Sequence, residues 1–335
     1  MRMFDWSIVR GVAVGFLGAF IATWSGLPAA PLVGSAVATA ALCMAGHGFA
    51  LPQWLTRVAF VTVGLAMGSG ISPATLTGAN EWAVSLLIMT ACMFVILATN
   101  TILLTKVFKW DRNTALLASA PGALSAVVGL AAEGHGDVVK VSVAQSVRLA
   151  LITLMVPVVS IWITLPDLPI RETTLATALL IPPAFVIGSF LTKWRVPTAH
   201  LLTGLILSAV AYLSGVLNHT PSAYMTIPGF VLIGTLIGSR FSGVGPGSQR
   251  KTILAGISLT CLGGLTALVF AWMAVHLTDI DPVSATIAYV PGGVEGMGAM
   301  ALALNAAPAV VAAHHLVRIL VVSLFVPMLF AGRKA

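Results

Sequence analysis

Apolar runs fill nearly the whole chain, and only short polar or Gly- and Pro-containing stretches separate them. Six runs fall near residues 8–25, 29–46, 54–71, 81–105, 113–133 and 138–164. Six more fall near 173–193, 197–217, 225–240, 251–276, 283–304 and 308–330. At about 1.5 Å of rise per residue, most can cross roughly 30 Å of hydrocarbon as α-helices. Strand-length alternation of apolar and polar positions is absent, which argues against an outer-membrane barrel. Two runs are interrupted, one by Pro121-Gly122 and the other by Pro291-Gly292-Gly293. Proline removes a helix donor and glycine relaxes the backbone, so each interruption predicts an unwound or re-entrant element.

The interrupted runs open two related stretches. Residues 111–157 recur without a gap as residues 281–327, so that Asp111 maps to Asp281, Arg148 to Arg318 and Pro157 to Pro327. The offset of 170 also relates Gly18, Phe20 and Trp24 to Gly188, Phe190 and Trp194. Gly64 and Gly68-Ser69 map in the same way to Gly234 and Gly238-Ser239. The chain therefore reads as a tandem duplication, with membrane repeat 1 at residues 1–165 and membrane repeat 2 at 166–335. On this reading the apolar run after Arg10 is the first helix of repeat 1, not a cleaved signal peptide.

Loop charges add an orientation. Arg2, Arg10, Arg57, Lys106, Lys109 and Arg112 place the N-terminus and their loops on the cytoplasmic side by the positive-inside rule. In repeat 2 the basic loops come one segment out of phase, and the loop matching 106–112 is acidic, with Asp279 and Asp281. The two repeats are thus expected to be inverted, as in many secondary transporters with broken helices. The expected fold class is an all-α polytopic membrane protein of two tandem, inverted repeats with about 10–12 membrane segments.

Composition agrees with this picture. Of 335 residues, 58% are hydrophobic and 8% charged, and the mean hydropathy is +1.02. That charged share is about a third of what soluble domains carry. The net charge of +7 lies mostly in short loops, where it orients helices and gives no ground for direct nucleic-acid binding. Cys43, Cys92 and Cys261 all fall in apolar runs and make no CxxC pair, so they define neither a disulfide framework nor a redox compartment.

A few polar residues stand out against the apolar background. Arg148 and Arg318 each lie ten residues inside a long apolar run, roughly 15 Å deep at helical rise. A central arginine costs about 2.5–3.5 kcal/mol on insertion scales and needs a carboxylate, a wet cavity, an anionic ligand or a helix-end carbonyl. Glu295 follows the second Pro-Gly break, where repeat 1 has Ser125, and is a candidate proton carrier or a buried partner for an arginine. Gln145 precedes Arg148 by three residues, and His314 and His315 precede Arg318 by four and three, so polar stripes line both helices. Pro121, Gly122, Pro291, Gly292 and Gly293 would present backbone dipoles beside them. Glu133, His135 and Asp137 read as a solvated mouth. The seven histidines show no HxH or HExxH spacing, so neither a metal site nor any other cofactor is expected.

The segment APGALSAVVGLAAEGHGD, repeated as VPGGVEGMGAMALALNA, is followed by SVRLALITLMVP and LVRILVVSLFVP respectively. Together these resemble the AbrB membrane-protein family across nearly the whole chain. That family is distinct from the small soluble DNA-binding regulator of the same name. Its members carry labels such as ammonia monooxygenase and membrane regulator of gene expression. By fold the family is similar to the cation–proton antiporter and anion transporter superfamily, and no catalytic residues carry over. The leading expectation is a non-enzymatic secondary transporter in the inner membrane, moving a small solute, anionic on the reading of the two arginines, with H+ or Na+. The alternatives are a membrane sensor acting indirectly on gene expression and a membrane metalloenzyme. Beyond the solute and the coupling ion, the expected partner is the lipid bilayer, with homo-oligomerisation left open.

Overall fold

The computed structural model describes residues 6–71, 82–121, 124–160, 173–194, 196, 198–242 and 250–330. Among these residues, every apolar run forms helix. In the first half these are α1 (Trp6–Trp24), α2 (Ala30–Met44), α3 (Gln53–Gly68) and α4 (Trp82–Lys106). The interrupted run then makes α5 (Arg112–Ser119) and α6 (Leu124–Leu130), and α7 (Val138–Ser160) closes the half. The second half holds α8 (Ile181–Lys193), α9 (Ala199–Leu213), α10 (Ala223–Ser239) and α11 (Arg250–Leu277). It ends with α12 (Pro282–Tyr289), α13 (Val294–Ala303) and α14 (Pro308–Phe330). Thr173–Thr174 pairs in parallel with Thr220–Pro221, a two-residue sheet beside these helices.

Both interrupted runs thus fold as two short helices with a break between. Each begins at an aspartate N-cap: Asp111 accepts from the Thr114 N–H and Asp281 from the Ser284 N–H, both at 2.8 Å. Each first half-helix stops just before its proline, as the missing N–H and the restricted preceding residue require. Beyond α6 the chain makes a wide turn over Ala131–His135, where Gly134 takes φ 94°, a conformation that glycine adopts without penalty. Asp137 then caps α7 by accepting from the Val139 and Lys140 N–H groups, both at 3.0 Å.

The helices sort into two compact units, each drawing on both halves of the chain. The first contains α1–α3, α8–α10 and residues 295–311. Here small residues set the helix contacts. Gly18 and Gly34 meet face to face between α1 and α2, and a Cβ on either would strike the other's carbonyl oxygen. Gly64 abuts the Leu201 carbonyl between α3 and α9, and Gly234 abuts the Leu32 carbonyl between α10 and α2. The third helix of each half therefore packs on the second helix of the other.

The second unit holds α4–α6, most of α7, α11, α12 and α14 from residue 312 onward. Its core includes Leu104, Leu117, Val141, Leu259, Val322 and Phe330. Gly256 of α11 lets that helix approach Val147 and Ala144 of α7. Among the described residues, five helices are long and apolar enough to cross a membrane, and α2, α9, α10 and α13 are shorter apolar helices. Large apolar side chains cover their outer faces, among them Leu87, Leu265, Trp272 and Leu324, each more than 60% exposed. Patches of that kind are a liability in water and the ordinary surface in lipid. The fold is an all-α membrane protein.

Candidate functional site

The centre of the second unit is built around the two helix breaks. α5 ends with carbonyls that have no intrahelical partner, the general condition of a helix C-terminus. Gln145 and Arg148, one turn apart on α7, supply donors to them. The Gln145 amide donates to the carbonyls of Leu117, Ala118 and Ala120 at 3.0–3.1 Å. Both terminal nitrogens of Arg148 donate to the Ala120 carbonyl at 3.3 Å, and one also donates to Gln145 Oε1. Arg148 is 2% exposed, and among the described residues its Nε has no partner.

The second break repeats this arrangement with one change of residue. Arg318 donates to the Val290 carbonyl at 2.9 Å and to the Gly292 carbonyl at 2.5 Å. His315 takes the place that Gln145 holds in the first half, with Nε2 against the Ile287 carbonyl at 3.1 Å. A carbonyl can only accept, so Nε2 carries the hydrogen and Nδ1 is left to accept from the Arg318 guanidinium. The ring is therefore neutral and locked in orientation. Arg148 and Arg318 lie within Coulombic reach of each other.

His314 faces the other way from its neighbour. Its Nε2 meets Ser85 Oγ at 2.8 Å, and Tyr289 donates to the Ser85 carbonyl at 2.7 Å. This fully buried cluster ties α4, α12 and α14 together. Asn100 of α4 is 1% exposed, yet among the described residues neither its amide nitrogen nor its oxygen has a partner. It lies beside Gly263 of α11, which also borders Pro291. A buried amide with four unused hydrogen-bonding positions is costly unless something occupies them.

Among the residues singled out from sequence, Gln145, Arg148, His315, Arg318, Pro121, Pro291 and Gly292 come together at the breaks. Gly293 follows them in the second break. Gly122 lies outside the described residues, and only the backbone of Ser125, in α6, is described. Glu295 belongs to the first unit, where its partner is Arg240 at 3.3 Å, at the C-terminal end of α10. At the expected mouth, Asp137 pairs with Lys140 at 3.1 Å, and the His135 ring stacks 5.2 Å from Phe330. Asn100, Ser85 and Tyr289 were missed. A lone Asn within the 25-residue apolar helix α4 was the signal available for the first.

A family model described as "Transition state regulatory protein AbrB" matches residues 32–332 of the chain. The chain is 23% identical to "Uncharacterized protein YhjN" of Bacillus subtilis, over 94% of its own length and 90% of that protein. It is 24% identical to "Putative regulator AbrB" of Escherichia coli, over 92% of its own length and 89% of that protein.

Proposed function

The chain belongs to the AbrB family, and from that premise we propose that it is a secondary transporter of a small anionic solute, coupled to an H+ or Na+ gradient. The observation that carries this reading is the charge of Arg148. Among the described residues it makes no ion pair, and its partners are a carbonyl and an amide. A helix C-terminus offers only about half a negative charge, so α5 balances about half of the guanidinium. The neighbouring charge of Arg318 adds to the positive field instead of cancelling it. An anion bound beside the breaks would complete the balance, and Asn100 has free donors to meet it.

Alternating access follows from the same proposal. The Asp caps, the carbonyls at the breaks and the arginines that meet them recur at one offset of 170 residues. Inverted repeats with broken helices give a transporter two equivalent half-gates about a central site. The loop charges favour an inner-membrane protein with a cytoplasmic N-terminus. Glu295, paired with Arg240, is the carboxylate offered as the coupling group. The reading carries no enzymatic step.

The test is uptake into proteoliposomes of a panel of small carboxylates and oxyanions under an imposed H+ or Na+ gradient. At least one anion is expected to accumulate, and Arg148→Gln should abolish its uptake while the purified protein keeps its thermal transition. If no anion accumulates under either gradient, the transporter reading fails. A membrane sensor is then the alternative, and the name of the E. coli relative, a regulator, is the observation that favours it.

A further inference from the structure

We propose that the second unit carries a binding groove for one anionic glycerophospholipid, separate from the arginine site. A groove of about 870 Å³ runs between α4, the start of α5 and the end of α14. Its apolar floor is formed by residues such as Phe94, Leu97, Phe325 and Leu329, and its mouth carries Lys106, Lys109 and Arg112. Among the described residues, no carboxylate lines it. Phe94 and Lys106 of α4 lie twelve positions apart, roughly 18 Å at helical rise, about the reach of an acyl chain.

The basic mouth and the apolar floor call for different ends of one molecule. Lys106, Lys109 and Arg112 are exposed, and none makes a hydrogen bond or ion pair among the described residues. Asp111, beside Arg112 in sequence, turns to the Thr114 N–H that it caps and forms no ion pair with these cations among the described residues. Three unneutralised cations above an apolar slot complement a phosphodiester above its acyl chains. An anionic soluble metabolite would leave the floor uncovered, and a zwitterionic lipid would leave the cations unbalanced.

The backbone supplies a second observation. Lys109 has φ 56°, the left-handed region, where α4 ends and the Trp110 N–H returns to the Leu104 carbonyl at 3.1 Å. That is the position a glycine ordinarily fills at a helix C-terminus. The sequence instead holds a lysine there, aimed from a fixed turn. Trp110 is almost wholly buried beneath it and takes the Lys140 ammonium at 5.9 Å over its ring, so the turn is anchored. A charged side chain on an anchored turn at the interface suits headgroup recognition.

Native mass spectrometry of the full-length detergent-purified protein tests this, with phosphatidylglycerol, phosphatidylcholine and glycerol 3-phosphate added in turn. One phosphatidylglycerol adduct is expected, at least tenfold tighter than phosphatidylcholine, with no adduct from glycerol 3-phosphate. The preference should fall tenfold or more in Lys106→Gln/Lys109→Gln/Arg112→Gln. Lys109→Gly removes one cation at a backbone that favours glycine, so it should fold normally and still lose several-fold in affinity. Ala98→Trp, which fills the floor, should weaken phosphatidylglycerol without touching the cations. If the triple variant keeps its preference, or if phosphatidylcholine binds equally well, the headgroup assignment is wrong. Tight binding of glycerol 3-phosphate would replace the lipid by a soluble phosphate and overturn the proposal equally.

Discussion

Arg148 lies ten residues into a 23-residue helix, and at the level of single residues the question is what holds a full charge there. Its insertion cost is about 2.5–3.5 kcal/mol, and hydrogen bonds to a charged group contribute about 1.5–3 kcal/mol each. The bonds to Ala120 and Gln145 therefore suffice to hold the side chain in place. They do not neutralise it, which is why a structural role and an anion-binding role are compatible at one residue. Asp137 shows the simpler case of a charge at the edge of the helical region. Partial burial raises its carboxyl pKa, but the Lys140 N–H and ammonium and the Val139 N–H outweigh that and hold it below the ordinary carboxylate value. Because the folded value is the depressed one, the stabilisation is complete above the ordinary carboxylate range. It is lost as pH falls through the folded value. Asp137→Ala should cost about 0.5–2 kcal/mol at neutral pH by loss of the α7 cap. The wild type should converge on the variant as acid is added, and thermal melts across a pH series would show whether it does.

Helix contacts turn on glycine at a few places. Gly64 leaves no room for a Cβ against the Leu201 carbonyl, which is backbone and cannot rotate away. Gly64→Ala should force α3 and α9 apart and cost about 1–3 kcal/mol as overpacking does. Gly264, in the middle of α11, has open space where its Cβ would be, and Gly264→Ala should be neutral or stabilising by up to about 1 kcal/mol. Thermal stability of the two variants in one detergent checks both signs, and equal losses would mean that the glycine content is generic. At this scale the sequence was most legible. Apolar runs mark helices because lipid leaves the backbone no other partner, and the Pro-Gly pairs mark the breaks because they remove helix donors. Contacts were less legible. Arg148 reaches a carbonyl 28 residues back, and Glu295 finds Arg240 across 55 residues, so neither partner could be read from local spacing. Asn100 was hidden for a different reason: a neutral amide barely dents the hydropathy of a helix like α4.

The whole molecule divides in two ways. Sequence correspondence splits the chain at the middle, whereas packing gathers the first three helices of each half, together with residues 295–311, into one unit and both helix breaks into the other. A duplicated transporter needs both divisions only if its repeats are inverted, since alternating access requires the two half-gates to face opposite sides. Orientation rests on loop charge, and the sharpest contrast lies at two equivalent exposed positions, Lys109 before α5 and Asp279 before α12. In a background with Cys43, Cys92 and Cys261 replaced, single cysteines at 109 and 279 should label from opposite faces of the membrane with an impermeant maleimide. Lys109 should then label from the cytoplasmic side, which is also where the positive-inside rule sets the basic mouth of the lipid groove. Labelling of both positions from one face would make the duplication parallel. The recurrence of arginine, carbonyl and cap would then be shared ancestry without a gating symmetry, and the sensor reading would gain what the transporter reading lost.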